Sequence, residues 1–226
     1  MKGILQGLHH FRSGPFVRDR ELYTQLVKSQ APSALFVSCS DSRVMPALMT
    51  QSGPGELFEL RNAGNIVPPF GASNGGESAT IEFAVKGLNV QDIIICGHTH
   101  CGAMKALLDP SQADSMPLVK SWLNHAETTR RIMAENYPDL PPEHRLNVAV
   151  QEHVLIQVEN IQTHPSVAVK LQRGEIAVHA WVYKLETGEV YAYSQEEGRF
   201  MPLTPHTLSA ASDTLPQTNL TPTNRA

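Results

Sequence analysis

The chain has little cysteine, no long apolar run and no strong excess of either charge, and each shortage removes a class of answers. Three cysteines in 226 residues, an odd number without a signal-like leader, argue against a disulfide framework and leave reduced thiols for metal or catalysis. The opening MKGILQGLHHFRSG is interrupted by His9, His10 and Arg12 before a signal-peptide core can form. No apolar stretch approaches the roughly 20 residues that span a bilayer, so a cytoplasmic protein without a membrane span is expected. Eighteen basic against 22 acidic side chains give a formal charge of −4, and no basic stripe marks a nucleic-acid surface. With 41% hydrophobic and 18% charged residues, the composition is that of a globular chain, long enough to bury a substantial core.

Apolar periodicity supplies the elements. Ile4, Leu5, Leu8 and Phe11, then Leu22, Tyr23, Leu26 and Val27, predict two N-terminal helices separated by Gly14-Pro15 and ended by Gln30-Ala31-Pro32. Short apolar runs at Ala34 to Ser38, Glu56 to Arg61 and Asp92 to Cys96 read as strands. Between the last two lies a Gly-, Asn- and Pro-rich loop from Asn62 to Gly76, after which Asn74 and Glu77 propose a capped helix through Ala79, Phe83 and Ala84. A short helix is expected from Cys101 to about Leu108, a long one over Leu118 to Ala126, and another carrying Leu146, Val150, Val154, Val158 and Ile161. Ile176 to Tyr183 and Glu189 to Tyr193, joined through Thr187-Gly188, predict a closing hairpin. The expected fold is α/β: a mainly parallel central sheet with one antiparallel edge strand, flanked by helices, with an N-terminal helical arm over about residues 1–30. Residues 1–203 read as one folded domain. Residues 204–226, rich in Thr, Ser, Pro, Asn and Gln, read as a disordered tail.

Two motifs sit at strand ends. Cys39-Ser40-Asp41-Ser42-Arg43 follows ALFVS, and His98-Thr99-His100-Cys101 follows IIICG. Adjacent parallel strands would bring two thiolates and an imidazole to one sheet edge, a three-ligand zinc set with the fourth position open. The spacing of His98 and Cys101 suggests one face of a first helical turn. His100, next to Cys101, would point elsewhere, and Cys96, inside IIIC, reads as a buried structural thiol. Taken singly, an H-x-x-C or an Asp41–Arg43 ion pair has an ordinary structural reading. Together they place soft ligands at two strand ends beside an acid and a base.

These motifs resemble the β-class carbonic anhydrases, of the plant and cyanobacterial type. The similarity runs through CSDSRV, PGELFELRNAGNIVPP, GHTHCGAMKALL and WLNHAETTRR, and covers nearly the whole chain except the tail. It implies Zn2+ held by Cys39, His98 and Cys101, and reversible hydration of CO2 to bicarbonate and a proton by zinc-bound hydroxide. Asp41 would orient the hydroxide and Arg43 would hold that carboxylate ionised. It further implies Gln30 and the Gly102 N–H as bicarbonate contacts, and Phe58, Ala63 and Phe83 as the lining of an apolar CO2 pocket, often contributed by a partner subunit. Ala63 and Phe83 depart from the larger aliphatic residue and the tyrosine frequent in plant relatives. Arg61 is assigned to the structural core around the site. Phe36 stands where self-inhibited relatives carry tryptophan, so an open site active at neutral pH is expected. The resemblance also implies a homo-oligomer built from dimers. Two alternatives remain: the same site acting on carbon disulfide or carbonyl sulfide, and a scaffold role, as in a carboxysome or other assembly, with catalysis secondary.

Overall fold

The computed structural model describes residues 1–73 and 75–204. The cap proposed at Asn74 and the tail, apart from Thr204, lie outside the described residues. Six strands form one sheet: β1 (Ala34–Cys39), β2 (Leu57–Asn62), β3 (Asp92–His98), β4 (Ala177–Tyr183), β5 (Val190–Ser194) and β6 (Arg199–Pro202), in the order β2-β1-β3-β4-β5-β6. The first four are mutually parallel, and β5 and β6 run antiparallel beyond β4. The expected single antiparallel edge strand is therefore two. The strand that sequence reading missed, β6, is four residues long and ends in proline, so it shows too little alternation to be recognised. Its partner pairing brings Tyr193 and Phe200 opposite each other with ring centroids 5.4 Å apart.

Among the described residues there are ten α-helices: α1 (Lys2–Ser13), α2 (Pro15–Arg18), α3 (Arg20–Leu26), α4 (Pro46–Thr50), α5 (Gly76–Glu82), α6 (Gly102–Leu108), α7 (Pro117–Leu123), α8 (Glu127–Glu135), α9 (Pro142–Gln162) and α10 (Pro165–Gln172). A π-helical turn, Phe83–Gly87, extends α5. The predicted two-helix arm is three helices, because Asp19 interrupts the second stretch with a non-helical backbone. The long helix expected over Leu118 to Ala126 divides at the tight turn Asn124–Ala126 and continues as α8. The buried residues of α8 include Thr129, which an apolar pattern does not register.

β1 and β3 are the deepest strands, as their near-continuous apolar runs require when both faces of a parallel sheet are covered. On one face Leu35, Val37, Ile93 and Ile95 join Val150, Val154, Val158 and Ile161 of α9 in the main core. The predicted apolar stripe of that helix thus packs as expected, with Leu146 partly buried at its edge. The approach is close: a Cβ on Gly97 would fall 2.6 Å from Val154 Cγ2. Even alanine there would force repacking costing about 1–3 kcal/mol. On the opposite face Phe36, Ile94 and Cys96 form a smaller cluster with Trp181 and Tyr183. This packing fixes where β1 and β3 end, and their carboxyl ends carry the two motifs.

Candidate metal centre

Cys39 closes β1 and His98 closes β3. The parallel register pairs Ser38 with Cys96, so both motifs emerge at the same sheet edge. Cys101 is not on a helical turn with His98, contrary to the spacing argument. The chain leaves β3 through His100 in the left-handed region (φ 57°), and Cys101 is the extended N-cap residue of α6. That reversal brings the second thiol back toward the first. One ligand atom from each of Cys39, His98 and Cys101 lies within 4.8 Å of the others, and all three residues are buried.

The donor set fits zinc. His98 Nδ1 lies 2.8 Å from the Thr99 carbonyl oxygen, which can only accept, so Nδ1 bears the proton and Nε2 presents a lone pair. That Nε2 is buried without a hydrogen-bond partner, the condition expected of a ligand nitrogen whose other ring position is fixed by a carbonyl. Two buried sulfurs this close disfavour ionising together. The Cys101 hydrogen bond, with help from His98 and the Gly64 N–H, draws the Cys39 thiol down to about 4 against burial, while the adjacent Cys39 sulfur and burial push Cys101 up. A dication that displaces the thiol protons would neutralise this repulsion. Cys96 lies apart from the cluster on the other face, where burial pushes its thiol up to about 12. It is the structural thiol expected.

Asp41 stands beside this cluster. Arg43 Nε donates to Oδ1 at 2.9 Å and Nη2 to Oδ2 at 2.7 Å, a two-pronged pairing reinforced by the Arg43 backbone N–H at 3.0 Å. These bonds, the guanidinium contact foremost, hold the carboxyl well below the usual carboxylate range. Oδ2 lies 3.9 Å from His98 Nε2. Arg43 also donates to the His100 carbonyl at 3.2 Å, which ties the first motif to the second.

Two supports lay beyond motif reading. Arg61, on β2, donates from Nη2 to the carbonyls of Cys39, Asp41 and Val44 at 3.1, 3.0 and 2.7 Å. One guanidinium thus holds the loop that carries ligand and acid, which gives its assigned core role a definite form. Glu186, in the β4–β5 connection, accepts from the Thr99 hydroxyl at 2.7 Å and pairs with His100 Nε2 at 2.6 Å. His100 therefore points away from the cluster, as expected, and its partner in the ETG turn was the available signal.

The remaining predicted residues are dispersed. Gly102 opens α6 directly after Cys101, where first-turn N–H groups lack helical acceptors. Gln30 is exposed and lines an open depression with Leu26 to Ser29 and Gly55, none of it a metal-cluster residue. Phe58 and Phe83 pack together with ring centroids 5.8 Å apart, Phe83 being half exposed. Ala63 is exposed, and its carbonyl accepts the Trp122 indole N–H at 2.8 Å.

Comparison with known proteins agrees with this architecture. The family profile described as carbonic anhydrase matches residues 34–190. A carbonic anhydrase of Synechocystis sp. is 50% identical over 194 residues, 85% of this chain and 71% of the relative. Carbonic anhydrase 1 of Escherichia coli O157:H7 is 46% identical over 204 residues, 90% of this chain and 92% of the relative. Among solved structures, the β-carbonic anhydrase CcaA superposes with a TM-score of 0.88 at 48% identity, covering 90% of this chain and 92% of that one. With this coverage and a buried Cys-His-Cys cluster at the carboxyl ends of β1 and β3, the chain belongs to the carbonic anhydrase family, β class, zinc enzymes that interconvert CO2 and bicarbonate.

Proposed function

We propose that Cys39, His98 and Cys101 hold one zinc ion, and that Asp41 and Arg43 act as the orienting dyad for CO2 hydration. The observation that carries this reading is the two-pronged Asp41–Arg43 pair with Oδ2 3.9 Å from the unpartnered His98 Nε2. Zinc, when bound, is a Lewis acid that makes water a nucleophile near neutral pH. Asp41 accepts the nucleophile's hydrogen, which directs an oxygen lone pair at the CO2 carbon. Arg43 keeps Asp41 ionised and prevents it from turning toward the metal position, consistent with an open site and with activity at neutral pH. The Gly102 N–H and the Gln30 amide receive the product's oxygens. Phe58, Ala63 and Phe83 supply apolar surface to a pocket completed by a second copy of the chain.

That second copy is also what the arm requires. No residue of α1, α2 or α3 is buried, and an isolated 12-residue helix is marginal in water. Its Ile4, Leu5 and Leu8 are 66%, 59% and 56% exposed, which suits a dimer in which each arm lies on the other subunit. Among the described residues no helix is long and apolar enough to cross a membrane, and we place the enzyme in the cytoplasm or in a carboxysome-like assembly. Residues 1–203 form the catalytic unit, to which the tail adds no chemistry.

The test is zinc content and CO2 hydration for the native chain and Asp41→Asn. Asp41→Asn should keep its zinc and lose about 100-fold or more in kcat, the usual scale for a positioned proton acceptor. Unchanged turnover with zinc retained would remove the dyad from the mechanism.

A further inference from the structure

The Gly64 N–H that meets Cys39 Sγ, at 3.4 Å, belongs to a stretch of backbone gripped from two sides. The other half of the same amide, the Ala63 carbonyl, accepts the Trp122 indole N–H at 2.8 Å. The next carbonyl, that of Gly64, lies 2.8 Å from His153 Nε2. A carbonyl only accepts, so His153 carries its proton on Nε2. Nδ1 then accepts from the Thr129 hydroxyl at 3.2 Å and from the Gln157 amide at 3.4 Å. Gln157 is itself oriented, because its Oε1 accepts the Val67 N–H at 2.8 Å. Trp122 sits on α7 and His153 on α9, so two helices outside the metal loops each take one of these two adjacent carbonyls.

The place is sterically defined as well. Gly64 has φ 86°, and a Cβ built on it would stand 2.9 Å from the Cβ of Ala103, in the first turn of the helix that Cys101 caps. A trans amide points its C=O and N–H in opposite directions. A donor on the Ala63 oxygen therefore fixes the direction of the Gly64 N–H and, by polarising the amide, strengthens its donation. We propose that Trp122 and His153 are positioning residues of the metal centre, clamping the Ala63–Gly64 backbone so that the Gly64 N–H is held on the Cys39 sulfur. This rests on Cys39 being a zinc ligand. Groups that orient ligands from behind are typically worth 10- to 100-fold in metal affinity or activity, and a sulfur that accepts a hydrogen bond donates less charge to its metal.

The clamp is tested by zinc affinity in chelator competition and by the absorption of the cobalt(II)-substituted protein, for the native chain, Trp122→Phe, His153→Leu and His153→Gln. Trp122→Phe keeps an aromatic ring at a partly exposed position and removes only the donor. Trp122→Phe and His153→Leu should each bind zinc about 10-fold more weakly. Their sulfur-to-cobalt charge-transfer band should move to longer wavelength, because a sulfur lone pair relieved of its hydrogen bond lies higher in energy. His153→Gln retains an N–H near the Nε2 position and should stay within about twofold of the native chain. If His153→Leu fails to fold, Trp122→Phe decides. Native affinity and an unmoved band in Trp122→Phe would overturn the clamp. Cys39→Ala separates the two layers: loss of zinc there beside an unaffected Trp122→Phe overturns the clamp alone, whereas native zinc affinity in Cys39→Ala overturns the ligand assignment and the clamp with it.

Discussion

The loop from Cys39 to Val44 and the N-terminal arm both lie outside the sheet, yet the chain completes only one of them. The loop is short and irregular, but Arg61 takes three of its carbonyls and Arg43 links it to the His100 carbonyl. The arm is regular helix, but apart from Leu26, which lies against Gly55, the apolar contacts it shows are largely its own. Phe11, Phe16 and Tyr23 gather with ring centroids 4.8 to 5.9 Å apart, while Ile4, Leu5 and Leu8 stay open. Regular secondary structure is thus no measure of how finished a region is. The candidate metal centre is held by hydrogen bonds within one chain, whereas the exposed apolar face of the arm is left to whatever covers it.

The sharpest way to break this comparison is to make the arm unable to bury its face. Leu5→Asp with Leu8→Asp should leave a zinc-loaded monomer whose CO2 hydration falls about 100-fold, the scale of a misplaced substrate-binding surface. Elution volume, zinc content and turnover measured together check this. Native activity in a monomer would mean that Phe58, Ala63 and Phe83 need no second copy.

The same contrast explains how much was legible in the sequence. Ala34 to Val37 and Ile93 to Ile95 announce buried strands because both faces are covered, and strands placed side by side bring Cys39 and His98 together. Cys101 joins the cluster by a different geometry from the one its spacing suggests, since the left-handed His100 rather than a helical turn returns it toward Cys39. Arg61, Trp122 and His153 were not assigned their contacts, because each reaches across the fold to a backbone carbonyl. Periodicity reports which face of an element is apolar, but not which distant carbonyl a polar side chain meets. Helix α4 and strand β6 escaped for a simpler reason, being five and four residues long.

A smaller effect should come from the loop's own support. Arg61→Met keeps the length of the side chain but leaves the Cys39, Asp41 and Val44 carbonyls without their shared donor. It should lower kcat/KM by about 10-fold and leave the proposed dimer intact, which hydration kinetics and elution volume check. Dissociation at unchanged turnover would reverse the assignment of the two regions, placing the assembly's support in the loop.

The least effect on catalysis, and the most specific signature, belongs to His153. Burial pulls its imidazole down from 6.5 to about 4, although the Gly64 carbonyl and the nearby Cys39 sulfur act in the opposite direction. A folded-state value below the unfolded one means that the unfolded chain takes up a proton first as the pH falls. Folding stability is therefore unaffected by this group above about pH 6.5, declines as pH falls toward 4, and stays reduced below that. The loss is of order 3 kcal/mol for a shift of this size. The metal ligands also titrate in acid, so urea unfolding of the metal-free native chain should be compared with His153→Gln, which has no proton to gain. The difference between the two stability curves should be level above pH 6.5 and should shift in favour of His153→Gln between 6.5 and 4. A level difference across the whole range would show that His153 accepts its proton in the folded state, and so that the helix-borne clamp is as open to water as the arm.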